Sequence, residues 1–154
     1  EVSNGKFICD SIAIIEWLED EYSNNSLLPK NSLERAAVRE LAMIVAAGTQ
    51  PIQNLKVMQY VSDDKADREK WAQHFIKNGL RAFESRLQAL GCSGEFCYGD
   101  QLTLADLCLI PQVYNAKRFN IDLSEYPLIE AINERALKLP SCIKAHPDRY
   151  APTT

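Results

Sequence analysis

Apolar residues recur at helical spacing along most of this chain, and the polar residues between them mark where each helix should begin and end. From Ser11 to about Tyr22, the positions Ile12, Ile15, Leu18 and Tyr22 share one face, and the polar run Ser23-Asn24-Asn25-Ser26 closes it. Leu27-Leu28-Pro29-Lys30 reads as a connector. Asn31, with Glu34 three residues on, has the form of a helix cap, and Leu33, Ala37, Leu41, Ile44, Gly48, Ile52, Leu55 and Met58 then continue a single stripe. Pro51 falls inside that stripe. It removes a backbone donor and crowds the carbonyl of residue 47, so the helix is expected to bend or break at Gly48-Thr49-Gln50-Pro51.

A second long helix is expected from about Lys65 to Leu90, with Trp71, Phe75, Gly79, Phe83, Leu87 and Leu90 inward, Gly91 as its stop, and an antiparallel partner in the first. Leu102-Thr103-Leu104-Ala105-Asp106-Leu107 is the clearest local signal. Thr103 caps, Asp106 reaches back, and Leu102 and Leu107 form a hydrophobic staple at the start of a buried helix. That helix continues through Ile110, Tyr114 and Arg118, with Pro111 as a second interior kink. Pro127 suits the first position of a further helix to about Leu139, and a short turn spans Ser141 to Ala145.

The first nine residues have a different pattern. Ser3-Asn4-Gly5-Lys6 carries the Asn-Gly of a tight hairpin turn and Phe7-Ile8 begins a strand. A lone hairpin is marginal in water, so residues 1–9 are expected to be disordered or to recruit another chain. The fold class is therefore mainly α, a helical bundle of five or so helices preceded by a β-α fragment. No internal repeat or low-complexity segment is visible.

Composition narrows the function classes. With 154 residues and 46% apolar content, one ordinary domain with a sizeable core is expected. A net charge of −4, without blocks of one sign, offers no electrostatic footprint for nucleic acid or an anionic membrane. The longest apolar run, Leu41 to Ala47, is far short of the roughly 20 residues that cross a bilayer. Cys9, Cys92, Cys97, Cys108 and Cys142 are odd in number and scattered, which fits thiols in a reducing, cytoplasmic setting. Only His74 and His146 accompany them, at distant positions, and no metal site is expected. Cys97 and Cys108, flanked by apolar residues, read as buried inert thiols.

Three stretches carry a resemblance that covers almost the whole chain. Asp10-Ser11-Ile12-Ala13-Ile14-Ile15-Glu16-Trp17-Leu18, Gln50-Pro51-Ile52-Gln53-Asn54-Leu55, and Tyr98-Gly99-Asp100 through Gln112 with Asn115-Ala116-Lys117-Arg118-Phe119 are similar to segments of zeta-class glutathione transferases. The capped start at Thr103 is shared across transferases generally, whereas Gln50-Pro51-Ile52-Gln53-Asn54-Leu55 and Asn115-Ala116-Lys117-Arg118-Phe119 point to the zeta class. The resemblance implies a C-terminal helical domain preceded by the end of a thioredoxin-like, glutathione-binding domain. On that division residues 1–22 are the remnant, 23–31 the linker and 32–154 the helical domain. It also implies a homodimer and glutathione-dependent isomerisation of maleylacetoacetate to fumarylacetoacetate, a step in tyrosine and phenylalanine breakdown. The family's thiol-activating serine precedes the matched part, so no catalytic residue is assigned here and the chain alone is expected to be inactive.

Each candidate residue has a structural reading beside the functional one. Asp10 and Ser11 can simply satisfy the free donors of a helix start, or they can hold the amino-acid head of glutathione, the N–H groups taking its carboxylate and Asp10 its ammonium. Gln50 and Asn54 share one face beside the proline break, where amides commonly cap or stay solvated. The resemblance implies glutathione contacts from Gln50, Asn54, Leu55 and Lys56. Arg118 can complement its helix dipole or fork around a carboxylate of an unsaturated diacid, with Lys117 toward solvent and Tyr114 narrowing the pocket. The rival function is a non-catalytic interaction module built on the same helical fold.

Overall fold

The computed structural model describes residues 5–22, 24, 26–91 and 94–150. Among these, seven α-helices follow one another: α1 Ser11–Glu21, α2 Ser32–Ala46, α3 Leu55–Val61, α4 Lys65–Leu90, α5 Leu104–Arg118, α6 Pro127–Ala136 and α7 Pro140–Ala145. A 3-10 turn at Pro147–Arg149 comes after them. Phe7 and Ile8 are not in a strand and no strand occurs among the described residues, so the β part of the expected fragment is not shown. A strand is defined by a paired neighbour, and none pairs with Phe7 or Ile8 among the described residues. The expected Ser3-Asn4 turn and Cys92 lie outside the described residues.

Helix α5 forms the centre. Eight of its 15 residues, from Leu104 to Ala116, are buried, and it packs against both α2 and α6. A helix covered on so many sides must be apolar around most of its circumference, and Leu104, Leu109, Val113 and Ala116 meet that demand. Its start is fixed as expected. Asp106 is fully buried, and its Oδ2 accepts from Thr103 N at 2.8 Å and from Thr103 Oγ1 at 2.7 Å, while Oδ1 accepts from Cys97 N at 2.9 Å. One carboxylate thereby caps the helix and anchors the preceding loop. The helix passes through Pro111 without ending.

The expected break at Pro51 is present. Helix α2 ends at Ala46, a turn segment runs over 47–53, and α3 restarts at Leu55. Asn31 Oδ1 caps α2 by accepting from Leu33 N at 2.9 Å and Glu34 N at 3.3 Å. The stripe is incomplete, because Leu33 is 72% exposed and Leu55 is 59% exposed, although Met58 at its end is buried. The other side of α4 faces the turn segment. Arg86 Nη2 meets Glu40 Oε2 at 2.7 Å, Gly79 lies against Thr49, and Trp71 Nε1 donates to Ile52 O at 3.0 Å. These pairs run in opposite numerical directions, so α2 with its turn is antiparallel to α4.

Helix α4 spans the expected Lys65–Leu90 and stops at Gly91, whose φ of 59° puts it in the left-handed region that glycine favours. Its buried line is Ala72, Ile76, Leu80, Phe83 and Leu87; Trp71, Phe75 and Gly79 flank it half-buried. Glu84, 5% exposed, caps a different helix: its two oxygens accept from Leu128 N and Ile129 N, each at 3.0 Å, at the start of α6. That cap stands in for the one Tyr126 cannot supply. Helix α6 ends at Ala136, three residues short of the expected point, and the turn at 141–145 is the short helix α7.

Helix α1 lies on this bundle through Ile12 and Ile15, while Leu18 and Tyr22 stay exposed. Arg39 of α2 grips Glu16 of α1 with both ends of its fork, Nε to Oε1 and Nη2 to Oε2, each at 2.8 Å. Glu19 holds the connector by accepting from Leu27 N at 2.7 Å and from Ser26 Oγ.

Candidate functional site

Two concavities open beside α5, and they differ in character. The larger, about 500 Å³, is an apolar groove lined by Leu107, Ile110, Pro111 and Tyr114 of α5, by Leu137, and by Cys142 and His146 from the C-terminal segment. Tyr114 closes one side. Its hydroxyl donates to Asp148 Oδ1 at 2.6 Å and its ring meets His146 edge-on at 5.6 Å. The bond to Asp148 holds the Tyr114 phenol above its usual range. Lys117, expected to face solvent, is exposed and lines this groove.

The smaller, about 380 Å³, lies where the start of α3, the start of α4 and the end of α5 meet. Leu55 and Met58 form its apolar wall, Lys65, Arg68 and Glu69 line it from α4, and Arg118, Phe119 and Asn120 close it from α5. Gln73 Nε2 donates to Phe119 O at 3.0 Å, which fixes the end of α5 against α4. Arg68 is pinned on one side, its Nη1 donating to Ser62 O at 3.1 Å and Asp63 O at 2.8 Å. Arg118 is exposed and makes no ion pair among the described residues. Three cations against one carboxylate make the crevice attractive to anions.

Of the residues singled out from the sequence, Leu55 and Arg118 are brought together in this crevice. Tyr114 lines the other groove, one turn before Arg118 on α5. Asn54 is the exposed N-cap of α3, its Oδ1 accepting from Lys56 N at 3.1 Å, and exposed Lys56 follows it into the helix. Gln50 is half-buried in the turn before Pro51, its N–H donating to Val45 O at 2.9 Å. Asp10 and Ser11 are exposed at the start of α1. There Asp10 Oδ1 accepts from Ile12 N at 2.9 Å and Ala13 N at 3.2 Å. Two of the N–H donors at this helix start are thus occupied by Asp10 itself. Asp10, Ser11, Gln50, Asn54 and Lys56 line neither concavity.

Sequence reasoning missed three residues around this region. Lys65 and Arg68 were hidden in a run of mixed charge, and only the fold sets them opposite Arg118. Gln112 had a readable signal, a lone amide within an apolar buried helix, and it proves to pair with Gln53 beside the proline break.

Among the described residues, no three potential ligands cluster as a metal site would require. No helix among them is long and apolar enough to cross a membrane. Burial pushes the Cys108 thiol up to about 11, with the Asp106 carboxylate adding to the effect.

Residues 51–146 match the family described as glutathione S-transferase, C-terminal domain. The chain is 44% identical over 148 residues to maleylacetoacetate isomerase of Dictyostelium discoideum, covering 94% of this chain and 66% of that protein. It is 41% identical over 150 residues to the Mus musculus maleylacetoacetate isomerase, covering 97% and 68%. A crystal structure of maleylacetoacetate isomerase from Anaeromyxobacter dehalogenans 2CP-1, with dicarboxyethyl glutathione and citrate bound in its active site, superposes with a TM-score of 0.92 at 39% identity. That match covers all of this chain (100%) and 70% of the other. The holo structure of a zeta-class maleyl pyruvate isomerase gives 0.94 at 35% identity, over 100% and 74%. The chain thus spans 66% and 68% of the length of these two curated relatives.

Proposed function

Because the chain belongs to the maleylacetoacetate isomerase family of zeta-class glutathione transferases, we propose that it is the helical part of a glutathione-dependent isomerase acting on maleylacetoacetate. The observation that carries this reading is the crevice in which Leu55 and Arg118 meet. An exposed arginine that lines a small cationic cleft and makes no ion pair among the described residues suits a carboxylate of a diacid. The bound citrate and dicarboxyethyl glutathione in the Anaeromyxobacter relative are polyacids of the same charge class.

Glutathione would supply a thiolate that adds reversibly to the cis double bond, so that rotation about the resulting single bond precedes its departure. The residues of this chain bind and orient. Asp10 and Ser11 offer a carboxylate oxygen and a hydroxyl to the γ-glutamyl head, and Gln50, Asn54, Leu55 and Lys56 line its approach from the break between α2 and α3. Arg118 holds a carboxylate of the unsaturated acid. None of these groups lowers a thiol pKa, a task that falls to a serine and helix N-terminus in the thioredoxin-like part implied by the resemblance. The 154-residue chain by itself should therefore be inactive. Homodimerisation and a cytoplasmic setting belong to the same proposal.

Calorimetric titration with glutathione tests it. Binding that appears only when the thioredoxin-like segment of the Dictyostelium relative is added supports the reading. No binding with or without that segment contradicts it and favours a non-catalytic interaction module.

A further inference from the structure

The crevice at Arg118 has a second cationic wall that the reading above leaves unused. Lys65 and Arg68 stand three residues apart on the first turn of α4, hence on one face, and both line the same 380 Å³ space as Arg118. Glu69 is the single carboxylate lining it, and Lys65 Nζ is 3.6 Å from Glu69 Oε1. The Nη1 group of Arg68 is fixed on the carbonyls of Ser62 and Asp63, which holds the guanidinium in place, and Nε and Nη2 make no bond among the described residues. The bond from the Gln73 side chain to the Phe119 carbonyl ties the two walls to each other.

We propose that Lys65 and Arg68 are specificity-determining residues, holding the second carboxylate of a dicarboxylate whose first is held by Arg118. The inference rests on the reading of Arg118 as a carboxylate ligand. A monocarboxylate satisfies one wall and leaves the other cationic, whereas a short diacid bridges both. A cleft of this size has room for a small diacid.

The test is a nuclear magnetic resonance titration of the chain at low ionic strength with maleate and, separately, with the monoacid crotonate. Maleate is expected to bind about tenfold more tightly than crotonate. In a Lys65→Gln, Arg68→Gln double variant that preference should fall to within about twofold, with crotonate binding retained. Lys65→Glu, a change at an exposed position, should lower maleate binding more than crotonate binding and serves where loss of Arg68 disturbs the 62–64 loop. Arg118→Gln should weaken both acids. An undiminished maleate preference in the double variant and in Lys65→Glu overturns this inference alone, provided Arg118→Gln acts as expected. If Arg118→Gln leaves both acids bound as before, or neither acid binds the parent chain, the reading of Arg118 falls and this inference with it.

Discussion

Gln53 and Gln112 bond to each other through both ends of their amides: Gln53 Nε2 donates to Gln112 Oε1 at 2.6 Å and Gln112 Nε2 donates back to Gln53 Oε1 at 3.3 Å. Both are buried, and the pair joins the segment broken by Pro51 to the helix that ends in Arg118. Removing one partner strands a buried amide. Gln112→Leu should therefore cost about 2 kcal/mol, and adding Gln53→Leu should recover part of the loss. Urea unfolding of the two single variants and the double variant measures the coupling. Strict additivity would show that the pair does not act as a unit.

The same turn is held from the other side by a close approach. A Cβ at Gly79 would fall 2.1 Å from Thr49 Oγ1 and 2.9 Å from its Cγ2, and Thr49 is itself fixed by donating to Ile44 O at 2.8 Å. Gly79→Ala should destabilise the chain by about 1–3 kcal/mol despite its better helix propensity. Thr49→Ala in the same chain should return much of that, and a denaturant midpoint for each variant checks the order.

Helix α1 depends on a charged clasp with a defined pH signature. The hydrogen bonds from Arg39 hold the Glu16 carboxyl below its usual 4.5, so Glu16 binds its proton less readily when folded than when unfolded. The contribution is therefore complete above pH 4.5 and is lost as pH falls through the depressed folded value. Side chains that are 32% and 40% exposed are well screened, which limits it to about 0.5–1 kcal/mol. Glu16→Gln should lower the melting temperature at pH 7 and low salt, and the difference from the parent should vanish in acid. A difference that persists unchanged at pH 3 would mean that packing, not charge, holds α1.

Thiol reactivity should follow burial and not number. Cys9 is exposed, Cys142 is half-buried in the apolar groove, and Cys97 and Cys108 are enclosed, the last with its pKa raised to about 11. Among these four thiols, a disulfide reagent at pH 8 should label Cys9 first and Cys142 more slowly, leaving Cys97 and Cys108 until denaturant is added. Peptide mapping by mass reads the order. Labelling of Cys108 in the folded chain at the rate of Cys9 would contradict its enclosure.

Local chemistry was the legible part of the fold. The caps at Asn31 and Thr103, the break before Pro51, the stop at Gly91 and the start at Pro127 each depend on a few neighbouring residues, and each stands where the chain implies. What depends on distant partners was not readable. The buried line of α4 is rotated toward Ala72, Ile76 and Leu80 because the facing elements, not the largest side chains of α4, decide which side is covered. Phe7 and Ile8 have strand composition but no neighbouring strand among the described residues. At the site, Arg118 was legible through a stretch that resembles a family, whereas Lys65 and Arg68 meet it only after α4 folds back along α2.

The central claim is that Arg118 grips a carboxylate of the isomerised acid. Its most direct measurement is glutathione-dependent conversion of maleylacetoacetate by this chain fused to the thioredoxin-like segment of the Dictyostelium isomerase, compared with the same fusion carrying Arg118→Gln. The expected result is turnover by the parent fusion and a fall in kcat/KM of about 30- to 100-fold in the variant. A folded, glutathione-binding fusion that turns over equally well with either residue at that position would contradict it.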